Sequence, residues 1–221
     1  MNSILALSVV GGLIGLDATS VGQFMISRPL VAGVIAGALT GDPMSGLVIG
    51  SMLELYHIVT VPSGGARVPD TGPATVAAVS AGVWAGGAPG ALAMAWCLGL
   101  LWGEVGGWAV MLQRRLNGAI LQAILADRPT AAGLELAHTL SILTDLVRGS
   151  LLTAVGIVVG ITVLPGLAAD WPLDPNWTVG LILAGASVPL GILLRGFDGW
   201  NKRRTMFLIG LALGVAGAYV T

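Results

Sequence analysis

The chain has 221 residues, of which 55% are hydrophobic and only 10% charged, with a mean hydropathy of +0.90 and a formal net charge of −1. Soluble domains carry about 25% charged residues, so this chain cannot cover an aqueous surface and belongs in a membrane. The charge balance argues against a nucleic-acid partner. The single cysteine, Cys97, excludes an internal disulfide and a cysteine-based metal cluster.

The opening stretch MNSILALSVV has no basic n-region of the kind a signal peptide carries, and is read as part of the mature fold. The hydrophobic pieces of the first half are short: 1 to 16, 29 to 41, 43 to 53 and 55 to 66. They are separated by GLDATSVGQFMISRP, TGDP and VPSGGARVPD. A spanning helix needs roughly 20 apolar residues, and runs of 10 to 14 are more often re-entrant or buried. In TGDP, Gly41 suits a helix end, and Asp42 can cap the next helix with Pro43 at its first position. Broken helices over 1–72 are therefore expected. Such backbone is tolerated at membrane depth only where protein buries it or it lines a wet cavity, the arrangement transporters place around a substrate site.

No charge occurs between Asp70 and Glu104. From Arg114 to Arg148 the pattern turns amphipathic. Leu116, Ile120 and Ile124 share one face, and Leu136, Leu140, Leu143 and Val147 form a second stripe after a break at Pro129. Helices lying at the interface or packed under the bundle are expected over 114–148. Three transmembrane helices are expected beyond it, at 149–169, 177–194 and 205–220. Arg148, Arg195 and the Lys202-Arg203-Arg204 cluster bracket these spans, whereas the turn at 165–177 has no Lys or Arg. The positive-inside rule then places that turn outside and the basic ends, with Arg114 and Arg115, in the cytoplasm. Glycine is abundant, at 34 residues, and much of it recurs at intervals of four, as in Gly33/Gly37/Gly41, Gly46/Gly50 and Gly156/Gly160. Small residues so spaced let helix backbones approach closely in lipid. The fold class read from these features is all-α: a single polytopic membrane domain over 1–221.

The first half also holds Asp17, Gln23, Arg28, Asp42, Glu54, His57, Arg67 and Asp70. An acid at bilayer depth costs ~2.5–3.5 kcal/mol on insertion scales and calls for a partner, water or a polar ligand. Asp17, Arg28 and Asp42 read as caps and anchors. Glu54 sits within an apolar run and Asp70 ends a backbone break, which marks both as functional. A sugar fits such a site, since its hydroxyls want carboxylates and amides beside an apolar wall. Gln23, Glu54, Asp70 and the unwound backbone at Gly64, Gly65 and Ala66 are the candidate substrate-binding groups, because a break leaves N–H and C=O groups that a continuous helix would consume. The residues call for no metal and no cofactor.

These stretches resemble a known family. QFMISRPLVAGVIAGALTGDPMSGLVIGSMLEL, followed by VPSGGARVPD, is similar to the membrane subunit IIC of the mannose-family sugar phosphotransferase system (PTS). Gln23-Phe24 ahead of Arg28-Pro29-Leu30, the Gly41-Asp42 break, Leu53-Glu54-Leu55, and the string Pro62, Gly64, Gly65, Ala66, Pro69, Asp70 carry the likeness. A second block, HTLSILTDLVR, places His138, Ser141, Asp145 and Arg148 as in that family's downstream amphipathic segment. The similarity covers most of residues 5 to 160.

The resemblance implies a transport subunit and not an enzyme. It implies that partner subunits IIA and IIB carry a phosphoryl group from phosphoenolpyruvate, and that IIB phosphorylates the sugar at the cytoplasmic face. A second membrane subunit, IID, pairs with IIC, and the heterodimers assemble as a trimer in the bacterial inner membrane. Two other readings of the residues stay open at this point. Glu54 and Asp70 could form a proton or cation relay in an unrelated secondary transporter or channel, or the glycine-packed chain could scaffold another membrane assembly.

Overall fold

A computed structural model describes residues 2–60, 65–126, 130–196 and 199–218. The described residues form eight helices: α1 Asn2–Thr19, α2 Pro29–Thr40, α3 Pro43–His57, α4 Thr71–Trp84, α5 Pro89–Leu125, α6 Ala131–Ala169, α7 Pro175–Gly196 and α8 Gly199–Ala218. Local sequence sets most of the ends. Pro29, Pro43 and Pro89 each open a helix at its first turn, where the missing N–H costs nothing. Gly41 closes α2 in the left-handed region at φ 91°, a conformation that glycine adopts without a Cβ clash. Asp42 then caps α3, accepting from Ser45 N at 3.0 Å and from Ser45 Oγ at 2.5 Å. Thr130 caps α6 through Gly133 N. The capping role read for Asp42 is therefore its place in the structure.

The lengths divide into two classes. By the helical rise, α2, α3 and α4 are only roughly 18–22 Å long, whereas α5 and α6 reach roughly 56–58 Å. The hydrocarbon core is about 30 Å thick, so the three short helices cannot cross it alone, and α5 and α6 extend past it. The broken first half is thus as the sequence indicates. The segment 114–148 differs from expectation: it forms no separate interfacial helices. Residues 114–125 continue α5 and residues 131–148 open α6, with Gly149 at the second junction kept helical and no proline between either segment and its span. Pro165 also sits inside α6, which runs on to Ala169. Three described helices are long and apolar enough to cross a membrane: α5, α6 and Pro175–Leu193 of α7. In α8 the described apolar stretch is Arg204–Leu213, and among the described residues α8 touches only α7.

Helix α4 is the axis of the bundle. Every residue from Gly72 to Gly82 is buried, and α1, α2, α3, α5 and α6 surround it. Its sequence TGPATVAAVSAGVW is apolar or small on all sides, which suits a helix with no solvent or lipid face. The glycine faces do the packing foreseen for them. A Cβ on Gly33 would lie 2.5 Å from Gly46 O, and one on Gly50 would lie 2.6 Å from Pro29 O, so α2 and α3 form a hairpin in backbone contact. Gly156 receives the indole of Trp102, which donates from Nε1 to Leu152 O at 2.9 Å.

Three turns gather at one end of the bundle. Gly87 lies beside Asp42 and Ser45, and Gly90 lies beneath Trp171. Among the described residues that end holds Asp42, Asp170 and Asp174 and no Lys or Arg, whereas Arg114, Arg115 and Arg195 stand toward the other. Helix α2 starts, α3 finishes and α4 begins at the end away from the acidic one. Their ends enclose a space within the protein.

Candidate functional site

At those buried helix ends lies a cavity of about 530 Å³. Its polar wall includes Asp17, Thr19, Gln23, Ser27, Arg28, His57, Thr60, Asp70, Thr71 and Arg114, and its apolar wall includes Met25, Pro29, Val68, Pro69 and Val110. Ligand pockets typically measure ~300–1,000 Å³ and combine an apolar lining with a few placed polar groups.

The loop between α1 and α2 forms one side. Asp17, buried near the end of α1, accepts from Phe24 N at 2.5 Å, from Ser27 N at 2.9 Å and from Ser27 Oγ at 3.0 Å. These bonds bend the chain so that Gln23 and Met25 take left-handed backbone angles, φ 61° and 65°. Non-glycine residues adopt such angles rarely, and chiefly at sites that the surroundings over-determine. Asp17 was read as an anchor. It is one, but the loop it anchors is a cavity wall.

The chain from Gly65 to Asp70 forms the opposite side. It is non-helical, and α5 holds it down. Asp70 N donates to Gly103 O at 2.9 Å. A Cβ on Gly107 would lie 2.6 Å from Val68 O, and one on Gly106 would lie 2.7 Å from Asp70 Cβ. Arg67 pairs with Glu104 and stacks its guanidinium 4.8 Å from the Trp108 ring centre. Arg114 donates to Ala66 O at 3.3 Å.

Asp70 is buried, with its carboxylate oriented by Arg148, whose Nη1 donates to Asp70 Oδ2 at 2.6 Å. Arg148 Nε donates to Asp145 Oδ1 at 2.8 Å, and Asp145 also accepts from the hydroxyls of Thr19 and Ser20. One Asp70 oxygen, Oδ1, is buried with no partner, as is Arg148 Nη2.

Of the sequence candidates, the structure brings Gln23 and Asp70 together on one cavity. Glu54 is not on its wall. The Glu54 carboxylate is occupied by Arg28, accepting from Nε at 2.8 Å and also from Nη2, and it is Arg28 that lines the cavity. A guanidinium from the facing helix takes the acid first, so Glu54 reaches the site only through its partner. His57, one turn after Glu54, lies on the cavity wall. Gly65 and Ala66 lie in the strap beside the cavity and not on its wall. Gly64 lies outside the described residues. Sequence reasoning missed Thr19, Thr71 and the roles of Asp145 and Arg148. The spacing of Asp145 and Arg148 already suited an i,i+3 ion pair, but nothing local connects them to Asp70, 78 positions away from Arg148.

Comparison with known proteins gives the family. The description "PTS system sorbose-specific IIC component" matches residues 1–195. The chain belongs to this family. It is a membrane-embedded IIC subunit of mannose-family PTS sugar transport. No curated protein matches it. Among solved structures, one described only as a membrane protein aligns with a TM-score of 0.66 at 18% identity, covering 98% of this chain and 91% of the other. A second, the mannose transporter ManYZ in complex with microcin E492, aligns with a TM-score of 0.59 at 21% identity, covering 98% and 90%. At these identities the likeness is one of fold, and it extends over the whole helical bundle of this IIC chain.

Proposed function

We propose that the cavity between the ends of α1, α2, α3 and α4 binds the transported sugar. The observation that carries this reading is Asp70, which lines a 530 Å³ cavity and keeps one carboxylate oxygen, Oδ1, buried behind that wall without a partner. A buried acceptor without a partner is costly, of order 1–3 kcal/mol and more when charged, and a sugar hydroxyl removes that cost by donating to it. The Gln23 amide and the Thr19, Ser27 and Thr71 hydroxyls supply further donors and acceptors. Pro29, Val68, Pro69 and Val110 face the C–H surface of the ring. Gly65 and Ala66 hold the strap that carries Asp70, and Glu54 holds Arg28.

The chain works with a IID membrane subunit, in a trimer of IIC–IID pairs, in the bacterial inner membrane. The end rich in Arg114, Arg115 and Arg195 is cytoplasmic, which is where IIB, charged through IIA, phosphorylates the sugar. Phosphoryl transfer belongs to those partners and not to this chain. Family membership and the distribution of basic residues support this arrangement, and sorbose and mannose are the first sugars to test.

The test is equilibrium binding of radiolabelled mannose and sorbose to the purified IIC–IID complex, followed by uptake in vesicles supplied with IIA, IIB and phosphoenolpyruvate. Asp70→Asn should weaken binding by about 10-fold or more, the value of a lost hydrogen bond to a charged group. Gln23→Ala should weaken it less. Uptake driven by an ion gradient without phosphoenolpyruvate, or native affinity for both sugars in Asp70→Asn, would overturn the proposal.

A further inference from the structure

The ion cluster behind Asp70 calls for an explanation beyond stability. Arg148 is 9% exposed, Asp145 2% and Asp70 1%, counted on their side chains. Removing such charges from solvent costs several kcal/mol per ion, and apolar residues of similar volume generally serve stability as well or better. The cluster's geometry is asymmetric. Arg148 Nε is committed to Asp145 and Nη1 to Asp70 Oδ2, which leaves Asp70 Oδ1 and Arg148 Nη2 without partners. The backbone of Asp70 is separately fixed to α5 by its N–H bond to Gly103 O and by the absent side chain of Gly106. Asp70 is the residue preceding α4, yet its side chain does not cap that helix. The carboxylate is therefore withheld from the role its position favours and turned instead toward a cation on α6. Asp145 completes the set by accepting from Thr19 and Ser20 at the end of α1, so the same guanidinium ties the strap, α6 and α1 together at the cavity.

We infer that Arg148 is a positioning residue for sugar recognition. Its guanidinium, held by Asp145, fixes the Asp70 carboxylate through Oδ2 and leaves Oδ1, closed to water in this state, for one substrate hydroxyl. The inference rests on Asp70 being the sugar-binding carboxylate, and it adds a requirement for α6. Arg148 itself contacts no sugar: it is absent from the cavity wall and acts through Asp70.

The experiment measures mannose and sorbose binding to the IIC–IID complex in Arg148→Gln, Arg148→Lys, Asp70→Asn and the double variant Asp70→Asn/Arg148→Gln, with thermal melting in parallel. Arg148→Gln should weaken binding about 10-fold, the scale of one charge-assisted hydrogen bond. Arg148→Lys restores the charge, and should recover part of that loss without recovering all of it, because an ammonium cannot span both carboxylates as a guanidinium fork does. In the Asp70→Asn background Arg148→Gln should change affinity less than about 2-fold, since coupled residues are non-additive. An equal loss in both backgrounds means that Arg148 acts elsewhere and overturns the inference. Native affinity in Arg148→Gln does so too. If Arg148→Gln does not assemble, Arg148→Lys carries the test, and native affinity in that variant counts against the inference. Native affinity in Asp70→Asn would instead overturn the site reading on which it rests.

Discussion

Substituting Glu54 by Gln removes the anion that Arg28 holds across the α2–α3 hairpin. Glu54 Oε1 accepts from Arg28 Nε at 2.8 Å and from Nη2, while Oε2 lies 3.5 Å from Leu30 N. A hydrogen bond to a charged group is worth ~1.5–3 kcal/mol and an exposed ion pair ~0–1 kcal/mol. With the side chains 33% and 20% exposed, the pair belongs between these limits, at about 1 kcal/mol after solvent screening. The hairpin itself should survive, because Gly33, Gly37, Gly46 and Gly50 keep the two backbones in contact. What changes is Arg28, which lines the cavity and loses the group that fixes it. A penalty of about 1 kcal/mol corresponds to roughly 5-fold in sugar affinity. Equilibrium binding to the detergent-solubilised complex, with melting as a control for folding, reads both quantities. A loss near 100-fold with unchanged melting would mean that Glu54 itself touches the sugar and that the Arg28 pair opens on binding. Native affinity would mean that the position of Arg28 is irrelevant.

Asp42→Ala should lower the melting midpoint while leaving sugar affinity unchanged, because Asp42 caps α3 at the end away from the cavity. The Ser45 hydroxyl and N–H hold the Asp42 carboxyl below its ordinary value of 3.8. Its contribution is therefore complete above about 3.8 and is lost as pH falls through the lower folded value, so melting of Asp42→Ala should depend less on pH in that acidic window. Gly46→Val places branched carbon against the Gly33 carbonyl and the Gly37 backbone. Overpacking of this kind costs ~1–3 kcal/mol, and here the clash is with backbone that cannot move aside singly. The complex should melt earlier and the hairpin should become accessible to protease, and native melting would refute the close contact.

Composition and charge spacing alone placed the chain in a membrane, because so few charges cannot cover a wetted surface. The proline at 43, the glycine at 41 and the cap at Asp42 marked helix ends, because each acts through its own backbone and its neighbours within a turn. The glycine intervals marked faces of close approach. Helix length past Arg114 was less legible. An amphipathic stripe looks the same in an interfacial helix and in the protruding half of a long one, and only the continuous backbone of α5 and α6 distinguishes them. The acids Glu54 and Asp70 were legible as anomalies, since an acid in an apolar run demands a partner. Which partner each one found was decided in three dimensions. Glu54 met Arg28 across the hairpin, and Asp70 met Arg148 from 78 residues away. The sequence shows that a carboxylate is present; the tertiary structure decides which of its oxygens remains for a ligand, because electrostatic pairing depends on distance in space, and distance along the chain says little about it.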